Sequence, residues 1–211
     1  MSNQKQFLLN ANLNLIEADF ITTKSRKFDS KNTAENLIFT SQNAVLSILE
    51  NSNFENLKNR SIFCVGSKTK NLLEKNGFKV VVTKEYASDL ATLIVNDFSN
   101  ENFTFFCGNL RRETLPEAFK KAQISFEEIE IYETILLPQK INATLDGILF
   151  FSPSGVESYL KNNKIVDEKC FCIGTTTAEA LQETTKNIII ANQQTVENVI
   201  IKAINYYDNK L

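Results

Sequence analysis

The sequence predicts an α/β protein made of two similar domains, each built around a parallel sheet. Two observations support this prediction. Short apolar runs alternate with stretches of helical periodicity, and the second half of the chain repeats the first. The 211 residues, 43% of them hydrophobic, are enough for one large domain or two small ones. With six glycines and three prolines, the chain is neither collagen-like nor of low complexity.

Short runs rich in β-branched and aromatic residues mark the strands. Most are apolar on both faces, as the buried strands of parallel sheets are. The runs cover residues 37–40, 61–66, 79–83, 103–108, 124–134, 147–151, 169–174 and 187–191. Before them, residues 3–12 are weakly helical, residues 15–23 are predicted as a strand, and residues 24–35 form a polar connector.

Apolar residues at helical spacing predict amphipathic helices between these strands. One such helix covers residues 90–98, and we expect Ser88 to cap its first turn. Another begins near residue 196, with Thr195 as its expected N-cap.

The internal repeat has two parts. Residues 37–49 resemble residues 148–160, and residues 63–83 resemble residues 171–191. Each half contains a strand, a serine-containing turn, a helix, a strand, a Gly-Ser or Gly-Thr turn, a helix and a strand. Duplication of this kind favours two similar domains over one long sheet, although short αβ units also resemble one another for purely structural reasons.

The domain boundaries follow if the first residues belong with the last half of the chain. Residues 36–128 then form an inserted domain, and residues 1–24 with 139–211 form a discontinuous one. Residues 25–35 and 129–138 are predicted to link them.

Composition excludes several functional classes. The chain contains no histidine, so Ser-His-Asp catalysis, Cys-His catalysis and histidine-ligated metal sites are excluded. The net charge of −2 does not suggest a nucleic-acid partner. No apolar run is long enough to span a membrane, and the first residues lack a signal-peptide pattern, so we expect a cytoplasmic location.

The four cysteines lie in apolar runs and form no CxxC pair. They are Cys64, Cys107, Cys170 and Cys172. We interpret them as buried thiols in a reducing compartment rather than as redox or metal-binding groups.

The candidate binding residues follow the predicted strands, where ligands bind to open parallel sheets. In the first half they are Ser41, Asn43, Gly66, Ser67, Gly108 and Arg112; in the second they are Ser152, Ser154, Gly155, Thr175, Thr176 and Thr177. These small hydroxyl and amide residues are expected at helix N-termini, where unpaired backbone N–H groups and a partial positive charge favour an anion. Serine and threonine are also ordinary N-caps, so the pattern has a purely structural explanation as well. Neither GxGxxG nor GxxxxGK[ST] occurs, which argues against a nucleotide site.

Two further positions are candidates for contact with a ligand. Arg111 and Arg112 are expected at the start of a helix, where one could face an anionic ligand instead of solvent. Tyr132 lies in an extended segment between the two halves. Its hydroxyl could donate a hydrogen bond to a ligand or act as a general acid, and packing is the structural alternative.

Several motifs together resemble the uroporphyrinogen-III synthase family. They are LIFTSQNAV, FCVGSKT, FFCGNLRRETLPEAF, IEIYETI, GILFFSPSGVESYL, CIGTTTAEAL and TVENVI, in the order found in that family. The resemblance implies two flavodoxin-like α/β domains joined by a two-stranded linker, with the active site in the cleft between them. It implies conversion of hydroxymethylbilane, a linear tetrapyrrole with eight carboxylates, to uroporphyrinogen III. It further implies no metal or organic cofactor. We expect a monomer.

The resemblance also suggests roles for individual residues. Tyr132 matches the family tyrosine proposed to assist departure of the hydroxyl group. The remaining candidate residues match loops that line the cleft. Members of the family begin with a short strand, which this sequence lacks before its first helix, so we expect the first strand of the discontinuous domain to be missing.

Two other functional classes remain open on the sequence alone. The first is a non-catalytic, two-domain cytoplasmic module that binds an anion or a small metabolite at the same helix ends. The second is a flavodoxin-like regulatory or flavin-binding module, although the strand ends carry Ser, Thr and Gly rather than an acidic cluster.

Overall fold

A computed structural model describes residues 3–208 and confirms the predicted α/β class. The chain forms two compact units. Unit 1 comprises the chain up to Thr22 together with the chain from Ile135 onward, and unit 2 comprises Thr23–Thr134. Two sheets are present among the described residues, one of six strands and one of three.

Unit 2 alternates strands and helices along most of its length. Its elements are β1 (Ile21–Ser25), β2 (Asn36–Phe39), α2 (Gln42–Leu49), β3 (Ser61–Val65), α3 (Ser67–Lys75), β4 (Lys79–Lys84), α4 (Ala87–Asp97), β5 (Asn102–Gly108), α5 (Thr114–Ala122) and β6 (Ser125–Leu136). The sheet order is β1-β6-β5-β2-β3-β4, and β2 to β6 run parallel. The first residues of β1 and the last residues of β6 belong to unit 1.

Helices cover both faces of this sheet because successive residues of β2 point in opposite directions. Leu37 and Phe39 pack with the buried residues of α2 and α3. Ile38 packs on the other face, with the buried residues of α4 and α5. The carboxyl ends of the strands are thereby held on a rigid, two-sided core.

Unit 1 repeats part of this arrangement. Its elements are α1 (Asn3–Asn10), β7 (Gly147–Phe150), α6 (Pro153–Asn162), β8 (Lys169–Cys172), α7 (Thr175–Glu179), β9 (Ile188–Ile190) and α8 (Val196–Asp208). Within the described residues its sheet has three parallel strands in the order β7-β8-β9. The succession β7-α6-β8-α7-β9 matches β2-α2-β3-α3-β4 in unit 2, as the sequence repeat predicts.

A strand is predicted over residues 15–23, but the observed strand, β1, covers Ile21–Ser25 and so begins six residues further along the chain. Backbone hydrogen bonds from Leu137 to Phe20 (2.8 Å) and from Arg26 to Ile131 (2.7 Å) pair it antiparallel with β6. Residues 26–35, expected within a linker strand, form no strand. The Asp29 side chain instead accepts a hydrogen bond from the Lys31 backbone and starts a 3₁₀ turn.

The two predicted helix caps have different outcomes. Thr195 Oγ1 accepts a hydrogen bond from the Asn198 backbone at 3.2 Å, so the predicted cap of α8 is confirmed. The prediction for Ser88 is wrong, because α4 already begins at Ala87 and Ser88 lies inside its first turn. None of the helices within residues 3–208 combines the length and apolar character needed to cross a bilayer.

Candidate functional site

Unit 2 collects seven predicted site residues at one edge of its sheet. Because β2, β3, β5 and β6 are parallel, their carboxyl ends lie at the same edge. Six of the seven residues lie at or after the ends of β2, β3 and β5: Ser41, Asn43, Gly66, Ser67, Gly108 and Arg112. The seventh, Tyr132, lies within β6, where it pairs with Gly108 at the end of β5. Tyr132 contacts both Ser41 and Gly108.

A bulge in β6 places Tyr132 beside Gly108. Cys107 pairs with Glu130, but the next residue, Gly108, pairs with Tyr132, so Ile131 is the additional residue. A shift of one residue reverses the face to which a side chain points. Ile129 and Ile131 share one face by ordinary alternation, and the bulge turns Tyr132 towards the same cluster of apolar residues, where Ile131 is fully buried and Tyr132 half-buried.

Gly108 makes room for the phenol ring. A Cβ atom at this position would lie 2.4 Å from Tyr132 Cζ and 2.5 Å from Cε2, far inside van der Waals contact. Any side chain here would displace the ring. The sequence indicated Gly108 as a binding residue; the structure shows that its absent side chain is what allows Tyr132 its position.

Ser41 contacts both α2 and Tyr132. Its Oγ accepts a hydrogen bond from the Ala44 backbone at 3.2 Å, which caps α2. The same oxygen lies 3.1 Å from Tyr132 Oη, within hydrogen-bond distance. Burial raises the pKa of Tyr132, and the hydrogen bond with Ser41 acts in the opposite direction. The phenol is therefore protonated at neutral pH.

Asn109 is a functional candidate that the sequence analysis did not select. Its backbone N–H donates to Tyr132 O at 3.3 Å. Its side chain accepts from the Thr134 backbone at 2.8 Å and donates to Thr134 O at 3.3 Å. Asn109 thus extends the β5–β6 pairing beyond the bulge and fixes the backbone that carries Tyr132. Its place directly after a strand was the available signal.

The expectation that Arg111 and Arg112 begin a helix is wrong, since α5 begins at Thr114. Arg111 lies in the preceding turn and forms ion pairs with Glu113 and, at 2.7 Å, with Glu128. The hydrogen bonds to these two carboxylates raise the pKa of Arg111. Its charge is therefore neutralised within unit 2. Arg112 is exposed in the segment between β5 and α5.

A polar cavity of about 420 Å³ surrounds Arg111. Its lining residues are Cys107, Gly108, Asn109, Arg111, Glu113, Glu128 and Glu130. All three of its carboxylates are ion-paired, Glu113 and Glu128 with Arg111 and Glu130 with Arg26, so the described residues that line the cavity offer no unpaired cation to an anionic ligand. An anionic ligand at this edge of the sheet would instead meet the neighbouring helix N-termini.

Three other predicted residues of this edge lie at the starts of α2 and α3. Gly66 precedes α3 with a φ of 85°, a conformation that favours glycine. Ser67 is exposed in the first turn of α3, and Asn43 is exposed in the first turn of α2. Both residues lie where backbone N–H groups at a helix start favour an anion.

Unit 1 has an equivalent edge at the ends of β7 and β8. Ser152 caps α6 by accepting from the Gly155 backbone at 3.0 Å, and its Oγ also lies 3.0 Å from Ser154 Oγ. Thr175 is exposed at the start of α7, whereas Thr177 is only 1% exposed and belongs to the core.

The cysteines do not form a reactive or metal-binding group. All four are buried and free, and burial is the largest cause of their raised thiol pKa values. Residues 3–208 contain no cluster of three or more Cys, Asp or Glu side chains arranged to hold a metal ion.

Known proteins match this chain over nearly its whole length. A family model described as uroporphyrinogen-III synthase HemD matches residues 13–201. The uroporphyrinogen-III synthetase of Helicobacter pylori has a similar structure, with a TM-score of 0.73 and 20% identity over 89% of this chain and 91% of that one. A triply substituted uroporphyrinogen III synthase of Thermus thermophilus matches with a TM-score of 0.64 and 12% identity, over 99% and 94% of the two chains. At these identities the two structures establish a shared fold.

Proposed function

The chain belongs to the uroporphyrinogen-III synthase family, and we propose that its Tyr132 supplies the proton that helps hydroxymethylbilane to lose its terminal hydroxyl group. The family consists of cyclising lyases of tetrapyrrole and heme biosynthesis. The observation that supports Tyr132 in this role is its contact with Ser41 and Gly108 at the carboxyl edge of a parallel sheet.

The reaction makes modest demands on acid–base chemistry. The pyrrole nitrogen of the bilane helps to expel the terminal hydroxyl, which takes up a proton and leaves as water. The resulting azafulvene carbon is then attacked by the last pyrrole ring. Attack through the carbon that already carries the chain forms a second bond there; the older bond then breaks and re-forms at the unsubstituted α-carbon of the ring, which loses its proton. This inverts the ring and gives the type III product, whereas direct attack through the unsubstituted α-carbon gives type I. The enzyme's main task is therefore to hold the flexible bilane in one shape.

Tyr132 can donate a proton and regain one within a single turnover, so its protonation state is the same before and after the reaction. Its phenol proton moves to the departing oxygen as the C–O bond breaks with its electron pair. After the new C–C bond forms, the last pyrrole ring loses a proton, which restores the phenol. The raised pKa of Tyr132 suits the first step, because the phenol carries its proton at neutral pH.

The bilane's eight carboxylates require several anion sites, and we propose the helix N-termini of both units for them. In unit 2 these sites involve Asn43, Gly66, Ser67 and Arg112; in unit 1 they involve Ser152, Ser154, Gly155, Thr175 and Thr176. Thr177 supports this edge from the core, where its side chain is buried. Each helix N-terminus favours an anion by about 0.3–1 kcal/mol, so binding depends on many weak contacts.

Incubation with fresh hydroxymethylbilane tests the function. The proposal expects the type III isomer from the folded protein and a large loss of its rate in Tyr132→Phe. A non-catalytic anion-binding module, which family membership disfavours, would leave only the type I isomer that forms spontaneously.

We further propose a cytoplasmic monomer. Free buried thiols are typical of proteins in a reducing compartment, which supports the location. Light scattering during gel filtration should give a mass of 23.9 kDa; twice that mass would contradict the monomer.

A further inference from the structure

We propose that Ser41 is the positioning residue of Tyr132, and that its hydroxyl donates a hydrogen bond to the phenol oxygen while Tyr132 gives up its proton. This inference rests on the proposed acid role of Tyr132. It gives Ser41 a different task from the carboxylate binding that the sequence suggested, and it follows from the arrangement of atoms around the phenol.

The helix cap fixes the serine hydroxyl. A hydroxyl has one proton to donate and two lone pairs to accept. One lone pair of Ser41 Oγ takes the Ala44 N–H at 3.2 Å, and the extended backbone of Ser41, with φ −150° and ψ 142°, holds this geometry. The serine proton remains free to point at Tyr132 Oη, 3.1 Å away.

Gly108 and Asn109 fix the position of the Tyr132 ring. Gly108 leaves no spare room behind the ring, since even a Cβ would overlap it. Asn109 bonds the backbone at Tyr132 and at Thr134, on either side of residue 133. The ring therefore cannot swing freely, and Ser41 and Tyr132 meet at a preset distance.

Such a partner matters most when the phenol loses its proton. A half-buried phenolate is costly unless a donor compensates for the lost water. Arg111 is already paired with two carboxylates, so its charge is not available to compensate the phenolate. Ser41 offers an O–H at the correct distance, and hydrogen bonds to an ionised acceptor are the strong ones. In this step the serine keeps its proton; only the Tyr132 proton moves to the leaving oxygen.

Two substitutions at one position separate the hydroxyl from the cap. Ser41→Thr keeps both, and Ser41→Gly loses the hydroxyl while glycine remains an acceptable N-cap. Ser41→Gly should lower kcat roughly tenfold with KM unchanged, the scale of one hydrogen bond to a charged group. Ser41→Thr should restore kcat. Combined with Tyr132→Phe, Ser41→Gly should have no further effect on kcat, because the phenol it serves is gone.

A matched control removes a cap elsewhere. Thr195→Ala deletes the equivalent cap of α8 and should lower stability as a lost cap does while leaving kcat intact. A drop in kcat in this control as large as that of Ser41→Gly would assign the Ser41 effect to stability and overturn the inference.

A spectroscopic readout is independent of turnover. With ¹³C-labelled tyrosine, the signal that Tyr132→Phe removes identifies Tyr132 among the five tyrosines. Ser41→Gly should raise the pKa of that phenol, since a donor to the phenolate is lost. An unchanged phenol pKa, a change in KM alone, or additive effects with Tyr132→Phe would each overturn the inference. If the parent protein itself yields only the type I isomer, the proposed function fails instead.

Discussion

The two halves of the sequence repeat use the same serine in different ways. Ser41 follows β2 and Ser152 follows β7, and each caps the next helix through a backbone N–H three residues on. The second partner differs. Ser41 Oγ meets the phenol of Tyr132 at 3.1 Å, whereas Ser152 Oγ meets the neighbouring Ser154 Oγ at 3.0 Å. Both serines are therefore helix caps. They differ in the second contact of the serine oxygen, which is a candidate catalytic residue for Ser41 and another serine for Ser152.

The repeat also preserves a cysteine that has no such second role. Cys64 in β3 and Cys172 in β8 occupy equivalent strand positions, and both are fully buried. The two repeats therefore share this buried strand position, whereas the candidate catalytic residue Tyr132 lies in β6, outside the repeat.

The largest expected effect concerns these thiols. Burial raises the pKa of Cys172 to about 11, and a thiol with that pKa holds roughly 200-fold less thiolate at pH 8 than one with a pKa of about 8.5. Alkylation at pH 8 should therefore be slow for Cys64 and Cys172 alike until the protein unfolds. Rapid labelling of either cysteine in the folded state would show that the repeats do not share this packing.

The next effect tests Tyr132, the phenol that contacts the capping serine of unit 2. Tyr132→Phe should lower kcat on the order of 100-fold, at the low end of general acid catalysis, because the bilane also loses water unaided. The matched control is Tyr207→Phe in unit 1. Its buried hydroxyl has no hydrogen-bond partner among the described residues, so removing it should leave kcat unchanged and stability equal or slightly higher. Equal kcat values for both variants and the parent would remove Tyr132 from the mechanism.

A smaller effect should be visible in the pH profile. Because the pKa of Tyr132 lies above its ordinary value near 10, its phenol stays protonated through neutral pH. The part of kcat that depends on Tyr132 should be constant there and fall only as pH rises through the raised pKa. The stability that the buried neutral phenol contributes is fully present below pH 10 and is lost over the same alkaline range. Tyr132→Phe should lack this alkaline decline in kcat; persistence of the decline would assign it to another group.

The smallest effect sharpens the comparison of the two caps. Ser41→Ala and Ser152→Ala should each lower the free energy of unfolding by about 1 kcal/mol, the usual cost of a lost N-cap. If the functional difference is as proposed, the first variant lowers kcat and the second raises KM. Denaturant unfolding together with steady-state kinetics measures both. Reversed kinetic effects would contradict the assignment of Ser41 to the phenol and of Ser152 to substrate carboxylates.

The buried strands and the repeat were predictable from the sequence for a physical reason. Strands such as β2 and β7 are apolar on both faces, and this pattern survives whatever the loops do. Thr195 was a readable cap because the helical periodicity starts immediately after it. The cap of α4 was not readable in this way, because helical periodicity locates the first residue of a helix only to within one or two positions. Ser88 consequently lies inside α4 and does not precede it.

The remaining features depend on contacts between distant residues. β1 has the sequence ITTKS, without apolar alternation, and is located by hydrogen bonds to β6 rather than by its own pattern. The bulge at Ile131 depends on the register between two strands, which no local signal specifies. The sequence could therefore indicate Tyr132 and Ser41 separately, but not their contact or the support from Asn109.

The most direct test of the account is the identity of the product isomer. Folded protein, mixed with fresh hydroxymethylbilane, should yield predominantly uroporphyrinogen III, and the Tyr132→Phe variant should shift the mixture towards the spontaneous type I isomer. Type I alone from well-folded parent protein would contradict the account.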